Sequence, residues 1–304
     1  MLLALLGCTE NHIVVQEEID VFYQTPLQAV DVLMVVDNSC SMEPYQTMLS
    51  ETFSEFVTWF VDAEVSWQIV VTTTDVDDPS IRAVIHSSDT DGGDVFAESV
   101  QVGIDGSGHE MGLEMARRVL ETNSDVFREQ ATFSTVVLSD EEDGSPLAVH
   151  EYIRALEDLK GARERDLAVV SGIVTIEEGV CGSDWSQRGD RYIAAADMTG
   201  GLIGDICSDS LEEIVYEMGL RSSGLTDTFY LSEEPSPSTL LVSVDEDLLP
   251  CEAGDWTYTR LFFKGEERPA IVFDRSAMPA SHAQIAVRYD RGGGSVSAFC
   301  PEAQ

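Results

Sequence analysis

The sequence predicts an α/β protein with a doubly wound, mostly parallel sheet flanked by helices, followed by a small all-β module. Over residues 30–222, continuous apolar runs that suit buried strands alternate with amphipathic stretches that suit helices. After residue 222, short strand-like runs are separated by Pro, Gly and Asp. The 304 residues, 43% of them apolar, are enough to bury a large core.

The elements of the first domain follow from the spacing of its apolar residues. Residues 32–36 are an uninterrupted apolar run between two aspartates, as expected of a strand buried on both faces of a parallel sheet. Over residues 45–60, apolar residues recur every three or four positions and so share one helical face. Further strands are predicted at 67–73, 133–138 and 167–175, further helices at 111–120, 147–159 and 210–220, and a long acidic loop at 76–106 with a short strand at 83–85.

The remaining segments complete the predicted domain organisation. Residues 223–304 are predicted to form a small β-sandwich or β-meander, with strands at 239–244, 256–263, 270–273 and 284–289. Residues 9–29 are predicted to be an N-terminal linker that leads into the first domain.

The charge of the chain is strongly acidic. The sequence has 56 Asp and Glu against 17 Lys and Arg, a formal net charge of −39 at pH 7. Such a surface repels nucleic acid and anionic lipid headgroups, because both are bound through cationic side chains. Nucleic acid is therefore not an expected partner. We interpret most of the acids as a solvated surface; the alternative is a reservoir of carboxylates for divalent cations.

The N-terminus resembles the lipobox of bacterial lipoproteins. Residues 1–8 are a short apolar run that ends in Leu-Leu-Gly-Cys, although the cationic segment of a signal peptide is missing and the run is short. The resemblance implies that Cys8 carries lipid, that residues 1–8 are a truncated signal segment, and that the protein meets a membrane only through this anchor. The expected location is the bacterial cell envelope, on the periplasmic face or the cell surface.

The other cysteines fit an exported, oxidising compartment. Pairing within each predicted domain gives two disulfides, Cys181 with Cys207 and Cys251 with Cys300, and leaves Cys40 as the odd thiol. Zinc is not expected, because the chain has no CxxC or HxxxH spacing.

Polar side chains at the ends of two predicted strands indicate a metal site. Asp37, Ser39 and Ser41 follow the first strand at alternate positions, so one carboxylate and two hydroxyls can point to a common centre. Oxygen ligands of this kind suit a small octahedral cation such as Mg²⁺. Asp140 follows the strand at 133–138, where a second carboxylate would reach the same crevice, and Ser107 is a hydroxyl between two glycines that precedes a helix.

This combination resembles the metal ion-dependent adhesion site of von Willebrand factor type A (VWA) domains. The resemblance covers about residues 30–222. Segments 106–114, 138–143 and 205–207 are also similar to a group of bacterial surface lipoproteins with such a domain. It implies that Asp37, Ser39, Ser41, Ser107 and Asp140 hold Mg²⁺, or Mn²⁺ or Ca²⁺ in its place. Ser107 stands where the family usually has threonine. In this family a partner protein supplies a further carboxylate to the metal.

Two other interpretations account for some of these residues. The first takes the aspartates as polar strand ends and the serines as caps of the next helix. The second is a metal-dependent hydrolase, but position 39 is serine where a dehalogenase-type phosphatase needs a second aspartate. Ser107 also fails the Gly-x-Ser-x-Gly frame of serine hydrolases.

The sequence therefore predicts a lipid-anchored bacterial surface protein that binds a protein ligand through a divalent cation and catalyses nothing. The alternative is a structural or assembly module of an envelope complex with a vestigial metal site. A hydrolase is the third hypothesis.

Overall fold

A computed structural model describes residues 16–159, 168–180, 186–263 and 266–292. The strands of this part of the chain are β1 (Glu17–Tyr23), β2 (Ala29–Val36), β3 (Ser66–Thr73), β4 (Ala83–His86), β5 (Thr132–Ser139), β6 (Ala168–Val174), β7 (Ile203–Asp205), β8 (Thr228–Tyr230), β9 (Leu241–Val244), β10 (Asp247–Leu249), β11 (Trp256–Phe263), β12 (Glu266–Phe273) and β13 (Gln284–Asp290). The helices are α1 (Glu43–Ser50), α2 (Phe53–Asp62), α3 (Gly92–Ser99), α4 (Gly112–Thr122), α5 (Val149–Leu159), α6 (Asp190–Thr199) and α7 (Glu212–Ser223).

The chain divides into two compact units. Thr25–Leu225 forms an α/β unit, and the described residues before 25 and after 225 form a β unit. The predicted fold class, a mostly parallel sheet flanked by helices with a small β module, is confirmed. The prediction of a linker at residues 9–29 was wrong for residues 17–23, because β1 pairs along its whole length with β13 of the β unit.

The α/β unit is built on a six-stranded sheet in the order β4-β3-β2-β5-β6-β7. All neighbours are parallel except β3 and β4, which are antiparallel. Strand β2 lies near the middle, and every residue from Val30 to Val36 is at most 2% exposed. An uninterrupted apolar run suits this position, because both faces of a central parallel strand are covered.

The helices match the sequence prediction in part. The predicted helix at 45–60 is two helices, since α1 ends at Ser50 and α2 begins at Phe53. Between them the buried Thr52 hydroxyl donates to the carbonyl of Leu49 at 2.7 Å. The predicted loop at 76–106 contains β4 and α3, and sequence reasoning missed α6 and β7.

Apolar side chains on one face of the sheet share a core with α4, α5 and α6. This core includes Leu33 and Val35 of β2, Leu113 of α4 and Tyr152 of α5, each fully buried. Helix α2 packs against α7, and Gly219 makes this close approach feasible, because a Cβ there would overlap the carbonyl oxygen of Phe56.

The β unit is a sandwich of two antiparallel sheets. One sheet has the order β1-β13-β9-β10 and the other β11-β12-β8. Both contribute to one core, which contains Val242 and Ile285 of the first sheet and Trp256 and Ile271 of the second. Gln24, just after β1, links the N-terminal segment of the β unit to the start of its C-terminal segment. The Gln24 side chain donates to the carbonyl of Thr226 at 2.7 Å and accepts from the Thr226 amide at 3.2 Å.

Several predictions fall on residues that the structure does not describe. Cys8, Cys181 and Cys300 lie outside the described residues, so the lipid anchor and both disulfide pairings stay predictions. Cys40 is exposed and free, as predicted. None of the helices in the described part of the chain has the length and apolar content needed to cross a bilayer.

Candidate metal centre

The candidate site lies where β2 and β5 end side by side. The two strands are parallel and in register, with Val36 opposite Leu138. The amide of Asp37 donates to the carbonyl of Leu138 at 2.9 Å, so the pairing continues into the first residue after β2. In a parallel sheet the carboxyl ends of neighbouring strands open onto the same crevice. The fold thus brings Asp37 and Asp140 to one edge of the sheet.

The Asp37 carboxylate is completely buried and held by two hydrogen bonds. Its Oδ1 accepts from the amide of Ser39 at 2.7 Å, and its Oδ2 accepts from the hydroxyl of Ser139 at 2.6 Å. Gln46 of α1 holds the backbone of this loop by donating from Nε2 to the carbonyls of Asp37 and Gly103, each at 2.8 Å. The carboxylate is therefore fixed in orientation.

Hydrogen bonds connect four of the five predicted ligands in a chain from Asp37 through Ser39 and Ser41 to Asp140. The hydroxyls of Ser39 and Ser41 lie 3.3 Å apart, and Ser41 donates to Oδ1 of Asp140 at 3.0 Å. Neither serine caps the following helix: Met42 occupies the N-cap position of α1, and no side chain caps it. The helix-cap interpretation of these serines was therefore wrong.

Ser107, the fifth predicted ligand, lies in a neighbouring loop. The amide of Gly106 donates to the carbonyl of Asn38 at 2.9 Å, and a Cβ on Gly106 would overlap the Asn38 side chain. In the described structure the amide of Ser107 donates to Asp75 at 3.2 Å, and its hydroxyl accepts from the amide of His109 at 3.1 Å. These bonds place Ser107 beside the first loop without joining its hydroxyl to the other predicted ligands.

Sequence reasoning missed several residues of this site. Ser139 contacts Asp37, and the hydroxyl of Ser186 donates to Oδ2 of Asp140 at 3.0 Å. Glu110 is 2% exposed and accepts a hydrogen bond from the hydroxyl of Thr74. Only Ser139 carried a sequence signal, since it directly precedes Asp140 at a strand end; the others reach the site through the fold.

The buried acids of the α/β unit fall into two classes. Asp31 pairs with Arg128 at 2.7 Å, Asp143 with Arg191 at 2.9 Å, and Glu114 with Arg117 at 2.8 Å. By contrast, none of the ion pairs among the described residues involves Asp37, Asp140 or Glu110, although all three are at most 2% exposed. Burying carboxylates without a positive partner is unfavourable, so this edge of the sheet concentrates uncompensated negative charge.

Three acids at this edge, Asp37, Glu110 and Glu141, have raised pKa values. Burial is the main cause of the raised pKa of Asp37, and the Asp140 carboxylate adds to it. Burial, followed by the negative charge of Asp37, raises the pKa of Glu110 to about 9. The same two causes raise the pKa of Glu141 to about 7. Each shift reflects the cost of holding negative charges together away from water.

A divalent cation fits this donor set. Carboxylate and hydroxyl oxygens are the ligands that hard cations prefer, and a cation would supply the missing positive charge. Two buried oxygens at this edge, Oδ1 of Asn38 and Oε1 of Glu110, have no hydrogen-bond partner in the described structure. Within the described residues, no three His, Cys, Asp or Glu side chains are grouped so as to hold a metal by themselves, so the proposed ligand set depends on the serine hydroxyls.

Comparisons with known proteins return structural similarity only. No protein-family model matches the sequence, and no curated protein matches it. The pilus adhesin SpaC from Lactobacillus rhamnosus GG, in its open conformation, is similar over 94% of this chain and 44% of its own, at 10% identity and a TM-score of 0.48. This chain therefore spans less than half the length of that adhesin.

Two further solved structures are similar to a lower degree. Proximal thread matrix protein 1 from the mussel byssus matches 70% of this chain and 51% of its own, at 12% identity and a TM-score of 0.43. The ArnB paralog VWA2 from Sulfolobus acidocaldarius matches 91% and 67%, at 10% identity and a TM-score of 0.37. By its own sheet order and helices, this chain is a mixed α/β protein with an additional antiparallel β unit.

Proposed function

We propose that this protein binds a divalent cation at the ends of β2 and β5 and, through that cation, a protein ligand. The cation is Mg²⁺, or Mn²⁺ or Ca²⁺ in its place, and its expected ligands are Asp37, Ser39, Ser41, Asp140 and Ser107. The observation that carries the proposal is that the buried acids of this edge have no basic partner in the described structure, whereas Asp31, Asp143 and Glu114 are each paired with arginine.

The protein ligand would supply a carboxylate to the cation. Two of the proposed ligands are carboxylates and three are neutral hydroxyls, so the cation can still attract a carboxylate from a partner. A coordinated carboxylate would also gain a direct bond to the metal. The protein's net charge of −39 opposes an acidic partner at a distance, and salt shortens the range of that repulsion to about 8 Å at physiological ionic strength. Ligand binding should therefore strengthen with ionic strength until screening is complete.

The proposed setting is the bacterial envelope, with the protein held to a membrane by lipid on Cys8. This part rests on the lipobox-like sequence of residues 1–8. Labelling with radioactive palmitate in a bacterial host should mark the wild-type product and not the Cys8→Ala variant. Equal absence of label in both would contradict the anchor.

Calorimetric titration of Mg²⁺, Mn²⁺ and Ca²⁺ into the metal-free 304-residue chain tests the cation site. One-site binding is expected for the wild type and should be lost in the Ser39→Ala, Ser41→Ala double variant. The matched control is Ser50→Ala, Ser54→Ala, because the hydroxyls of these two residues make only local, exposed hydrogen bonds. Unchanged binding in the first double variant would contradict the site and favour the alternative of a scaffold with a vestigial metal site.

An open coordination position for a carboxylate can be tested with small probes. Mn²⁺ bound to the protein should broaden the methyl resonance of acetate more than that of acetamide, because only acetate carries a carboxylate. Equal broadening of both probes would contradict a carboxylate-bearing ligand while leaving the cation site intact.

A further inference from the structure

Glu110 is the buried carboxyl that the predicted ligand set leaves unexplained. It lies two residues before α4 and is 2% exposed. The hydroxyl of Thr74 donates to Oε2, while Oε1 is buried and has no hydrogen-bond partner in the described structure. The Glu110 carboxyl also lies within hydrogen-bonding reach of the Asp37 carboxyl. Two acidic side chains therefore lie close together, and one oxygen of Glu110 is buried there without a hydrogen-bond partner in the described structure.

The backbone holds Glu110 firmly in this place. Its carbonyl accepts from the amide of Gly144 at 2.6 Å, and the amide of the next residue, Met111, donates to the carbonyl of Thr74 at 3.1 Å. The loops that follow β3 and β5 thus both hydrogen-bond to the backbone of residues 110 and 111. A Cβ on Gly144 would come within 3.1 Å of the Glu110 carbonyl, so glycine gives the second loop the room to approach. These bonds fix the backbone position from which the Glu110 side chain enters the buried region.

Ser107 is less well placed than Glu110 to serve a cation. Ser107 is partly exposed, and its hydroxyl already accepts from the backbone of His109, which stabilises the local turn. Oε1 of Glu110 has no such hydrogen bond in the described structure, and the Glu110 carboxyl lies close to that of Asp37. The loop at residues 106–110 therefore offers the site a carboxylate oxygen as well as the hydroxyl that the sequence motif emphasises.

We infer that Glu110 is a direct ligand of the divalent cation and that its carboxylate, rather than the Ser107 hydroxyl, supplies the main oxygen from this loop. This inference rests on the proposed cation site. It adds a third carboxylate to Asp37 and Asp140, and the cation would separate the Glu110 and Asp37 carboxyls. Because these three acids are not grouped so as to hold a metal by themselves, the serine hydroxyls still complete the ligand set.

A different role for Glu110 is structural. A neutral Glu110 could share its proton with Asp37 and hold the two loops together without any metal. In that case a Gln side chain, which is similar in shape and can also donate to Asp37, would serve nearly as well and would not alter cation binding.

The test compares Mn²⁺ and Mg²⁺ titrations of the 304-residue wild-type chain with those of Glu110→Gln, Ser107→Ala and Glu142→Gln. The control Glu142 is a neighbouring carboxylate of the same edge whose Oε1 accepts from the amides of Asp143 and Arg191. Loss of a direct ligand should weaken cation binding by about tenfold or more in Glu110→Gln. Ser107→Ala should weaken cation binding less than Glu110→Gln does. Glu142→Gln should change it by less than about threefold, because Glu142 is neither a proposed ligand nor a residue that orients one.

Thermal unfolding in chelator provides the readout that does not depend on metal. Glu110→Gln should unfold cooperatively, with a melting temperature at least as high as that of the wild type, because the substitution removes one of two neighbouring acids. If this variant does not fold, Glu110→Asp replaces it; the shorter side chain keeps its charge and should weaken cation binding without abolishing it.

The outcomes separate the two proposals. Cation affinity of Glu110→Gln or Glu110→Asp equal to that of the wild type would overturn the inference and leave the proposed function standing. A large loss confined to Ser107→Ala would do the same. Absence of cation binding by the wild type itself would overturn the proposed function.

Discussion

The hydroxyl of Ser139 donates a 2.6 Å hydrogen bond to Oδ2 of Asp37, which joins the last residue of β5 to the first residue after β2. Together with the bond from the Ser39 amide, this bond fixes the orientation of the Asp37 carboxylate. Residues that orient a metal ligand in this way influence metal affinity without contacting the metal.

Ser139→Ala should therefore weaken cation binding by about tenfold, the lower end of the effect expected for an orienting partner. Calorimetric titration of Mn²⁺ measures this loss. Ser134→Ala is the matched control, since Ser134 is a buried hydroxyl of the same strand that bonds to Ser222 at 3.0 Å. Equal affinity in the two variants would argue against an orienting role for Ser139.

Arg128→Met should destabilise the α/β unit by about 3 kcal/mol, because it leaves the fully buried Asp31 without its cation. Urea unfolding measures the change. Asp31→Asn combined with Arg128→Met should recover much of the stability. Cation affinity should stay unchanged in both, since Asp31 and Asp37 lie at opposite ends of β2, about 20 Å apart for six residues of strand. A metal defect in these variants would indicate long-range coupling along the strand.

The ionised Glu114 carboxylate should contribute to the free energy of unfolding, and this contribution should be lost at low pH. Hydrogen bonds from Arg117 lead the causes that lower its pKa from 4.5 to about 2. The resulting stabilisation is complete above pH 4.5 and is lost as the pH falls from 4.5 toward 2. Glu114→Gln should thus lower the free energy of unfolding at pH 7 by about 2 kcal/mol, a value typical of hydrogen bonds to a charged group, and the deficit should vanish near pH 2.

The control for this pH series is Glu121→Gln. Glu121 pairs with the same Arg117, but its side chain is 54% exposed, so water screens the interaction. The free energy of unfolding of Glu121→Gln should lie within about 0.5 kcal/mol of that of the wild type at every pH. Parallel curves for Glu114→Gln and the wild type would contradict the assignment.

Gly219→Ala should destabilise the packing of α7 on α2. A methyl group at this position would overlap the carbonyl oxygen of Phe56, so the helices must separate, at a cost of about 2–3 kcal/mol. Thermal unfolding measures the shift. Gly108→Ala is the control, because no atom lies within 4 Å of a Cβ built there. Similar melting of both variants would show that the helix pair can adjust freely.

Sequence patterns predicted the central strands well because burial on both faces favours runs of apolar residues. β2 and β5 lie inside the sheet, and their runs stand out against the acidic background. The opposite holds for β1, where Ile19, Val21 and Tyr23 are exposed. The side chains that turn inward are partly polar, and one of them, Asp20, accepts from the hydroxyl of Tyr289 at 2.7 Å. Its pattern therefore gave no sign of a buried face.

The candidate site was predictable where its residues are consecutive in the chain. Asp37, Ser39 and Ser41 form one motif, and Asp140 ends a clear strand. Gln46 and Glu110 were not predictable, because a helix and a distant loop carry them to the site. Their role depends on where the fold places a side chain and on which partners it lacks.

The pairing of β1 with β13 determines the order in which the molecule can form. β1 is synthesised first among the described strands and its partner last, so the β unit cannot complete its first sheet until almost the whole described chain has left the ribosome. The α/β unit, made in between, can fold earlier. Its own ends are then already close, since the amide of Leu27 donates to the carbonyl of Ser223 at 2.9 Å. Folding of the α/β unit therefore shortens the effective loop between β1 and β13, and should lower the entropic barrier to closing the β unit.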